Sequence, residues 1–292
     1  MRLLPQQKFP SPIERLKGSL FPNVDVDVWV KRDDLINPDI SGNKWRKLKY
    51  NIEALSPKAH VLTLGGAYSN HVRAVAAAGK YCGFETSALI RGELVEPLNP
   101  VLAFAAVQGM QLLPVSREDY RNRHDAEWLE AMRKETGATD VWPEGGSNAL
   151  AVKGCKEILA EVEQHFDVVC VPVGTGGTLA GLIASGRQDT SVVGVSVLKG
   201  GEFLIEDVRR LLADAGEVEL SRWSIELDYH FGGYAKSTAE LHAWMVDFSM
   251  RSEVPLESVY SGKLFYAVYD MIAKRKFSAG SRVLIVHTGG MY

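Results

Sequence analysis

The stretch FDVVCVPVGTGGTLAGLIAS, residues 166–185, decides the fold class of this chain. Its first half is a short apolar run rich in valine, which is typical of a buried strand. A glycine-rich turn at residues 174–177 follows at once, and an apolar helical stretch follows the turn. A strand that passes through a tight turn into a helix is the repeating unit of parallel α/β sheets.

The same alternation extends over most of the chain. Apolar, β-branched runs predict further strands at residues 26–34, 60–66, 85–92, 110–115, 191–197 and 281–290. Helical periodicity predicts helices between them, at residues 44–55, 69–83, 99–109, 124–137 and 261–276. At residues 200–230 charge rises and the periodicity weakens, which predicts a loop and a peripheral helix. The predicted fold class is α/β.

The composition argues against several classes of protein. The chain has 292 residues, of which 46% are hydrophobic and 24% charged, and its net charge is -3. This is ordinary globular composition, and it lacks the basic excess of nucleic-acid binders. There is no apolar run of about 18 residues that would predict a membrane span. We therefore expect no nucleic-acid partner and no membrane partner.

The cysteines and the N-terminal segment favour a cytoplasmic protein. Cys82, Cys155 and Cys170 are widely spaced and form no CxxC motif, which indicates reduced thiols and neither a disulfide framework nor a zinc site. The segment MRLLPQQKFPSP, residues 1–12, has too short an apolar core for a secretory signal, and prolines interrupt it.

The segment DISGNKWRKLKY, residues 39–50, places four basic residues at the start of a predicted helix. Lys44 is spaced by four residues from Leu48 and by eight from Ile52, and it therefore shares their buried face. Desolvation and the helix dipole would both lower its pKa, as a Schiff-base lysine requires. The alternative is a lysine whose stem covers apolar surface while its ammonium reaches water. The other three basic residues are predicted to lie on a solvated helix face: Arg46, Lys47 and Lys49.

The glycine turn predicts a phosphate site at the start of the helix that follows it. A nucleotide site fits less well, because a GxGxxG motif would need glycine at Leu179 and no Gly-Lys-Ser/Thr follows. A tight connection without a ligand is the alternative. The turn offers three glycines and two hydroxyl groups: Gly174, Gly176, Gly177, Thr175 and Thr178.

A second anion site is predicted in GGAYSNHVRAVAAAG, residues 65–79, where Ser69, Asn70 and His71 open a helix after a glycine turn. Taken alone, Ser69 would be an N-cap and His71 a surface histidine. Two anion sites and one buried lysine together suggest a phosphorylated aldehyde cofactor and a carboxylate substrate. Pyridoxal phosphate with an amino acid satisfies both requirements.

Six motifs resemble one known family, and they cover nearly the whole chain. They are SGNKWRKL (41–48), GGAYSNHVR (65–73), EGGSN (144–148), GTGGTLAG (174–181), VYSGK (259–263) and HTGG (287–290). They resemble the D-cysteine desulfhydrase and 1-aminocyclopropane-1-carboxylate (ACC) deaminase family, pyridoxal-phosphate enzymes of fold type II. The resemblance implies two α/β domains with mostly parallel sheets, the cofactor in the cleft between them, and a homodimer. The large domain would span residues 1–46 and 147–292, and a small inserted domain residues 47–146.

The resemblance also implies a role for each matching residue. Lys44 would carry the cofactor and move the substrate α-proton, and residues 174–178 would hold the phosphate. Asn70 would also lie near the 3-hydroxyl of the cofactor. The substrate carboxylate would contact Ser69, Asn70 and His71, and the two active-site tyrosines would be Tyr234 and Tyr260. For each tyrosine alone, a place in the core or an interface would be the simpler interpretation.

The resemblance favours D-cysteine over ACC as the substrate. ACC deaminases tend to read Tyr-Glu-Gly-Lys, Ser-Asn-Gln and His-Leu-Gly-Gly, whereas this chain has Ser261, His71 and Thr288 at the differing places. A hydroxyl of Thr288 or Ser261 at the pyridine nitrogen makes a weaker electron sink than glutamate does, which suffices for a thiolate leaving group. ACC deaminase, a broader D-amino-acid lyase and a non-catalytic nucleotide-binding protein are the alternatives. Family members usually continue past the HTGG motif, whereas this sequence ends at Tyr292.

Overall fold

The computed structural model describes residues 8–22 and 25–290 of the chain. Residues 1–7, which belong to the segment considered as a secretory signal, and Tyr292, the last residue of the sequence, lie outside these ranges. The strands, in chain order, are β1 (Ile13–Arg15), β2 (Asp27–Lys31), β3 (His60–Gly65), β4 (Glu85–Arg91), β5 (Gln111–Val115), β6 (Asp140–Val141), β7 (Val168–Val173), β8 (Ser191–Ser196), β9 (Arg222–Glu226) and β10 (Arg282–Val286).

These strands form two sheets. The large sheet has six strands in the order β1-β2-β10-β7-β8-β9, and the small sheet has four in the order β5-β4-β3-β6. β1 pairs with β2 in the antiparallel direction, and every other pair of neighbours is parallel. Parallel neighbours need crossover connections, which in this chain are mostly helices.

Helices cover both faces of each sheet. They are α1 (Asn43–Ala54), α2 (Asn70–Cys82), α3 (Pro100–Val107), α4 (Ala126–Thr136), α5 (Ala149–Ala160), α6 (Gly177–Ser185), α7 (Leu204–Asp214), α8 (Ala239–Ser252) and α9 (Ser261–Ala273). On the large sheet, α8 and α9 pack on one face and α5, α6 and α7 on the other. On the small sheet, α1, α2 and α3 pack on one face and α4 on the other.

The alternation along β10 explains why the large sheet needs helices on both faces. Val283 and Ile285 lie in the core cluster of α8 and α9, whereas Leu284 and Val286 lie in the cluster of α5, α6 and α7. Successive side chains of a strand point to opposite faces, so a strand that is apolar throughout must be covered twice.

The predicted α/β class is confirmed, and each strand and helix predicted outside residues 200–230 appears within a few residues of its expected bounds. The prediction for residues 200–230 is wrong in part. α7 buries Leu204, Val208 and Leu212 in the core, and β9 is the edge strand of the large sheet. Arg222 and Glu226 interrupt the apolar pattern by which a strand is predicted. Charged residues are common in an edge strand, because one of its sides is exposed to water. The helices α5 and α8 were not predicted from the sequence.

The boundaries of the two predicted domains stay a prediction. The small sheet is built from residues 60–141, inside the predicted insertion, and the large sheet from residues before and after it. Trp45 and Leu48 of α1 pack in the core cluster beside the small sheet. Among the described residues, no helix has the length and apolarity that would let it cross a membrane.

Candidate active site

One cavity lies at the carboxyl ends of strands from both sheets. Its lining includes Gly66 after β3, Gly174 after β7 and Thr288 after β10. Ligands of parallel α/β sheets bind at this end of the strands. Most of the predicted site residues line it: Lys44, Ser69, Asn70, His71, Gly174, Thr175, Gly176, Thr178, Tyr234, Tyr260 and Thr288. Gly177 and Ser261 do not.

The glycine turn presents unpaired N–H groups at the start of α6. The backbone N–H groups of residues 175–178 have no acceptor among the described residues. Such groups at a helix N-terminus attract an anion. Gly177 lies behind the cavity, where a Cβ atom would stand 2.7 Å from Ser147 Oγ. Its role is therefore to let the turn pack closely on the EGGSN segment.

Lys47 lies beside this turn, and the predicted solvated position is wrong for it. Its side chain is buried, and its Nζ donates to Gly145 O at 3.0 Å and to Ser147 Oγ at 2.8 Å. A longer bond of 3.4 Å reaches Thr175 Oγ1. Burial lowers the pKa of Lys47 to about 8. The sequence gives no signal for this position, because its partners lie about a hundred residues further along the chain.

Lys44 lines the cavity one helical turn before Leu48, which is fully buried as the spacing predicts. Burial, followed by the charge of Lys47, lowers the pKa of Lys44 to about 7. Its Nζ donates to Asn43 Oδ1 at 3.0 Å, and Asn43 Nδ2 donates to Thr178 Oγ1 at 2.9 Å. Asn43 thus connects the lysine amine to the glycine turn, a link that the sequence analysis missed.

Gly42 explains why the SGNK segment can reach this position. Its φ is +59°, and a Cβ atom there would lie 1.9 Å from Thr288 O. Only glycine fits both the left-handed backbone and the close approach. The start of α1 is therefore held against the HTGG turn that follows β10.

Arg46 is also buried, and the predicted solvated position is wrong for it as well. Its guanidinium donates to both oxygens of Asp33, at 3.1 and 3.0 Å, and to both oxygens of Glu161, at 2.9 and 2.5 Å. Burial alone would lower the pKa of Arg46, but the hydrogen bonds and charges of Glu161 and Asp33 outweigh it and raise the pKa. Lys49 is half-buried and pairs with Glu157 at 2.6 Å.

The start of α2 presents a second set of unpaired groups. Ser69 is the N-cap, and its Oγ accepts from the Val72 N–H at 3.3 Å. The N–H groups of Asn70 and His71 have no acceptor among the described residues. These groups face the same cavity as the glycine turn, so the cavity holds two separate sites for an anion.

His71 is neutral in this setting. Burial, with the charges of Lys44 and Lys47, lowers its pKa well below the ordinary value. Its Nε2 lies 2.8 Å from Thr63 Oγ1, and that hydroxyl donates to Trp142 O. The hydroxyl has one hydrogen, so Nε2 carries the proton of the ring. The other nitrogen, Nδ1, is a buried acceptor with no partner among the described residues.

Tyr234 and Tyr260 contact each other in the cavity. Their ring centroids lie 6.1 Å apart in an edge-to-face arrangement. Burial raises the pKa of both hydroxyl groups, and the neighbouring Tyr234 raises that of Tyr260 further. Both side chains are therefore protonated phenols at neutral pH.

The loop that carries Tyr234 has an unusual backbone. Positive φ angles occur at Phe231 and Ala235, two residues with side chains that disfavour them. Lys263 is fully buried, and its Nζ donates to Gly233 O at 2.8 Å. This bond from α9 holds the loop in place.

Thr288 lines the cavity, but Ser261 does not. Ser261 Oγ accepts from the Glu257 N–H at 2.8 Å and is fully buried in the first turn of α9. The Glu257 carboxylate accepts from the N–H groups of Val259, Tyr260 and Ser261 and so caps the helix. Of the two hydroxyls predicted to contact the pyridine nitrogen, only that of Thr288 faces the cavity.

Comparison with known proteins shows the family to which this chain belongs. The sequence profile described as "Pyridoxal-phosphate dependent enzyme" matches residues 4–289. The chain belongs to this family. A relative from Pyrococcus horikoshii, provisionally named 1-aminocyclopropane-1-carboxylate deaminase, is 32% identical over 295 residues, which are 96% of this chain and 89% of the relative.

Two further members of the family are similar over the whole chain. The bifunctional D-cysteine desulfhydrase/1-aminocyclopropane-1-carboxylate deaminase of Arabidopsis thaliana is 31% identical over 321 residues, 100% of this chain and 80% of that protein. The crystal structure of an ACC deaminase homologue superposes with a TM-score of 0.85 at 29% identity, over 100% of this chain and 92% of that one. The predicted family and its pyridoxal-phosphate cofactor are confirmed.

Proposed function

We propose that this pyridoxal-phosphate enzyme breaks down D-cysteine by β-elimination, to pyruvate, hydrogen sulfide and ammonia. The observation that carries the proposal is one cavity in which a lysine with a pKa of about 7 lies with two sets of unpaired N–H groups. One set suits the phosphate of the cofactor, and the other suits the carboxylate of an amino acid.

The residues present fit the cofactor. The N–H groups of residues 175–178 and the Lys47 ammonium would hold its phosphate. Lys44 would bind its aldehyde, because a pKa of about 7 leaves much of the amine neutral at physiological pH. Thr288 would face the pyridine nitrogen, and Asn70 the 3-hydroxyl. When bound, pyridoxal phosphate supplies an electron sink for the charge that develops on the substrate α-carbon.

The chain would contribute proton transfer and orientation. Once the substrate amine has taken its place, the neutral amine of Lys44 can accept the α-proton. The N–H groups of Asn70 and His71, with the Ser69 hydroxyl, would fix the substrate carboxylate. Tyr260 and Tyr234 remain protonated, so they can donate a hydrogen bond to the departing sulfur. Hydrosulfide leaves from the β-carbon, and addition of one water releases pyruvate and ammonia.

D-cysteine is preferred over ACC because of the group near the pyridine nitrogen. Thr288 offers a neutral hydroxyl, and the Glu257 carboxylate already accepts from three N–H groups at and just before the start of α9. A neutral partner stabilises a protonated pyridine less than a carboxylate does. A weaker sink suits a thiolate, which leaves readily, better than it suits the opening of a carbon ring.

ACC deamination to 2-oxobutanoate and ammonia is the second candidate. It is the activity in the name of the Pyrococcus relative, whereas the name of the Arabidopsis relative gives both activities. A broader D-amino-acid lyase would share the same site. Purified enzyme should release pyruvate from D-cysteine faster than 2-oxobutanoate from ACC, measured on the same sample. Faster turnover of ACC would contradict the choice of substrate, and no turnover of either would contradict the reaction class.

We also propose a homodimer in the cytoplasm, on the basis of the family resemblance and the reduced thiols expected from the sequence. Light scattering on the purified enzyme should give twice the mass of the 32.1 kDa chain. A monomer at micromolar concentration would contradict the dimer.

A further inference from the structure

Two arginines, Arg91 and Arg123, line the cavity in addition to the two sets of unpaired N–H groups. Arg91 is the last residue of β4, and a Cβ atom placed on Gly66 would lie 3.8 Å from its guanidinium. Arg123 follows the short helix Asp119–Asn122. Neither residue belongs to the glycine turn or to the start of α2, and neither has a role in the reaction described above.

Tyr120 joins the two arginines into one cluster. The guanidinium carbon of Arg91 lies 5.9 Å from the centre of the Tyr120 ring, and that of Arg123 lies 5.6 Å from it. The Tyr120 hydroxyl donates to Glu144 Oε1 at 2.8 Å, and Arg123 Nε donates to Glu144 Oε2 at 2.8 Å. Glu144 also lines the cavity, so one carboxylate fixes both the ring and Arg123.

The cluster has an excess of positive charge. Glu144 compensates Arg123, but no carboxylate of the residues that the structure describes lies within 4.0 Å of Arg91. The Arg91 side chain makes no hydrogen bond within residues 8–22 and 25–290, and this exposed residue lines the cavity. Its planar fork of N–H donors is therefore open to a ligand, and such a fork matches the two oxygens of a carboxylate or phosphate.

The cluster also lies close to the reacting part of the cavity. Burial raises the pKa of Tyr234, and the charge of Arg91 acts in the opposite direction on the same hydroxyl. Glu144 acts on Tyr234 and on Tyr260. Arg91 lines the same cavity as the two tyrosines that would contact the substrate side chain, and its charge reaches Tyr234. The α2 N–H groups would bind the α-carboxylate, which leaves Arg91 for the side chain.

We propose that Arg91 and Arg123 form a third anion site, which binds an anionic oxygen group on the side chain of the amino-acid substrate. This inference rests on the proposed function. It extends the substrate class to amino acids whose side chain ends in a carboxylate, sulfate, sulfonate or phosphate. With serine O-sulfate, the α-proton goes to Lys44, the bond between the β-carbon and the ester oxygen breaks, and sulfate leaves with its electron pair. One water then yields pyruvate and ammonia.

D-Aspartate and D-asparagine test the site, because they differ in side-chain charge and hardly in shape. Each is titrated into the holoenzyme, and binding is followed by the change in cofactor absorbance, which needs no turnover. We expect D-aspartate to bind at least about 10-fold more tightly than D-asparagine, the effect of a hydrogen bond between charged groups. Equal affinities would overturn the proposal. No absorbance change with any amino acid, D-cysteine included, would instead contradict the proposed function.

Three variants separate side-chain recognition from general charge. Arg91→Gln should remove the preference for D-aspartate and leave D-asparagine binding unchanged. Arg123→Gln should reverse the preference, because it leaves the Glu144 carboxylate in the cavity without its counter-ion. Arg121→Gln is the matched control: it removes an exposed arginine two residues away that does not line the cavity, and the preference should persist. A loss of both ligands by the same factor in Arg91→Gln would mean that Arg91 binds the α-carboxylate, and it would overturn the proposal.

Discussion

Basic residues of the same helix, α1, are buried in two regions of the molecule that differ in the partners they offer. Arg46 is buried in an ion cluster in which Asp33 and the partly exposed Glu161 accept its hydrogen bonds, and Lys31 also pairs with Glu161. Lys44 and Lys47 enter the cavity, where their bonded neighbours are hydroxyl, amide and carbonyl oxygens. In the first region a cation is matched by carboxylates, and in the second it is not.

The difference separates a structural cation from a functional one. A buried cation with carboxylate partners stays charged and ties distant segments together. A buried cation without them is destabilised, and its pKa falls. The lowered pKa values of Lys44 and Lys47 therefore mark a region where an anion or an aldehyde is expected to bind.

The largest effect on activity is expected at Lys44. Lys44→Ala removes both the amine that binds the cofactor and the base, so turnover should fall by at least about 10⁴-fold. The variant should fold, because the side chain it removes lines a cavity. Turnover and circular dichroism of the same sample check this prediction. Retention of more than a few per cent of the activity would show that another residue binds the cofactor and accepts the α-proton.

The largest effect on stability is expected at Arg46. Arg46→Met leaves the buried Asp33 without its arginine partner and Glu161 with Lys31 alone, which should cost about 3–5 kcal/mol of unfolding free energy. The melting temperature should fall by roughly 10 °C in a thermal scan. An unchanged melting temperature would mean that the ion cluster contributes no more than its apolar replacement.

Lys47 should affect both cofactor affinity and the pH dependence of Lys44. The folded pKa of Lys44, about 7, lies below its ordinary value, so the reactive neutral amine increases as the pH rises through 7. The rate at which apoenzyme condenses with pyridoxal, which lacks a phosphate, should rise with a midpoint near pH 7. In Lys47→Met the loss of a neighbouring charge should raise the pKa of Lys44 and move this midpoint to higher pH.

The Lys47→Met variant should also bind pyridoxal phosphate about 10-fold more weakly, since one charge-assisted contact to phosphate is lost. Nα-Acetyl-lysine treated with pyridoxal over the same pH range controls for the chemistry of the aldehyde. A midpoint that stays in place, or moves to lower pH, would mean that Lys47 does not act on Lys44.

The smallest effect is expected at Lys49, the half-buried basic residue of α1. Lys49→Met breaks a half-buried surface pair with Glu157, and such pairs contribute about 0–1 kcal/mol. Denaturant unfolding should therefore give nearly the wild-type free energy, and turnover should not change. A loss comparable to that of Arg46→Met would remove the distinction between the buried cluster and the surface pair.

The sequence could predict Lys44 but not its neighbours on α1. Helical spacing relates Lys44 to Leu48 and Ile52 within one element, and such local periodicity can be read directly. The environment of Arg46 depends on Glu161, 115 residues later, and that of Lys47 depends on Gly145 and Ser147. Contacts between distant segments leave no periodic signal in either one.

The outcome at Ser261 has a different cause, a local one. Its motif and spacing could match the family, but its hydroxyl is directed by the local turn of α9 to the Glu257 N–H. The glycine turn and the start of α2 could be predicted as anion sites because unpaired N–H groups follow from the helix itself. Arg91 and Arg123 carried no motif, and only the fold brings them to the cavity.

Borohydride reduction of the holoenzyme, followed by peptide mass spectrometry, tests directly whether Lys44 is the lysine that binds the cofactor. Reduction fixes the cofactor to the lysine that holds it, and both low-pKa lysines of α1 are candidates for the label. We expect a phosphopyridoxyl group on Lys44 in the wild-type enzyme and none on Lys47. A label on Lys47, or on the buried Lys263, would contradict this assignment.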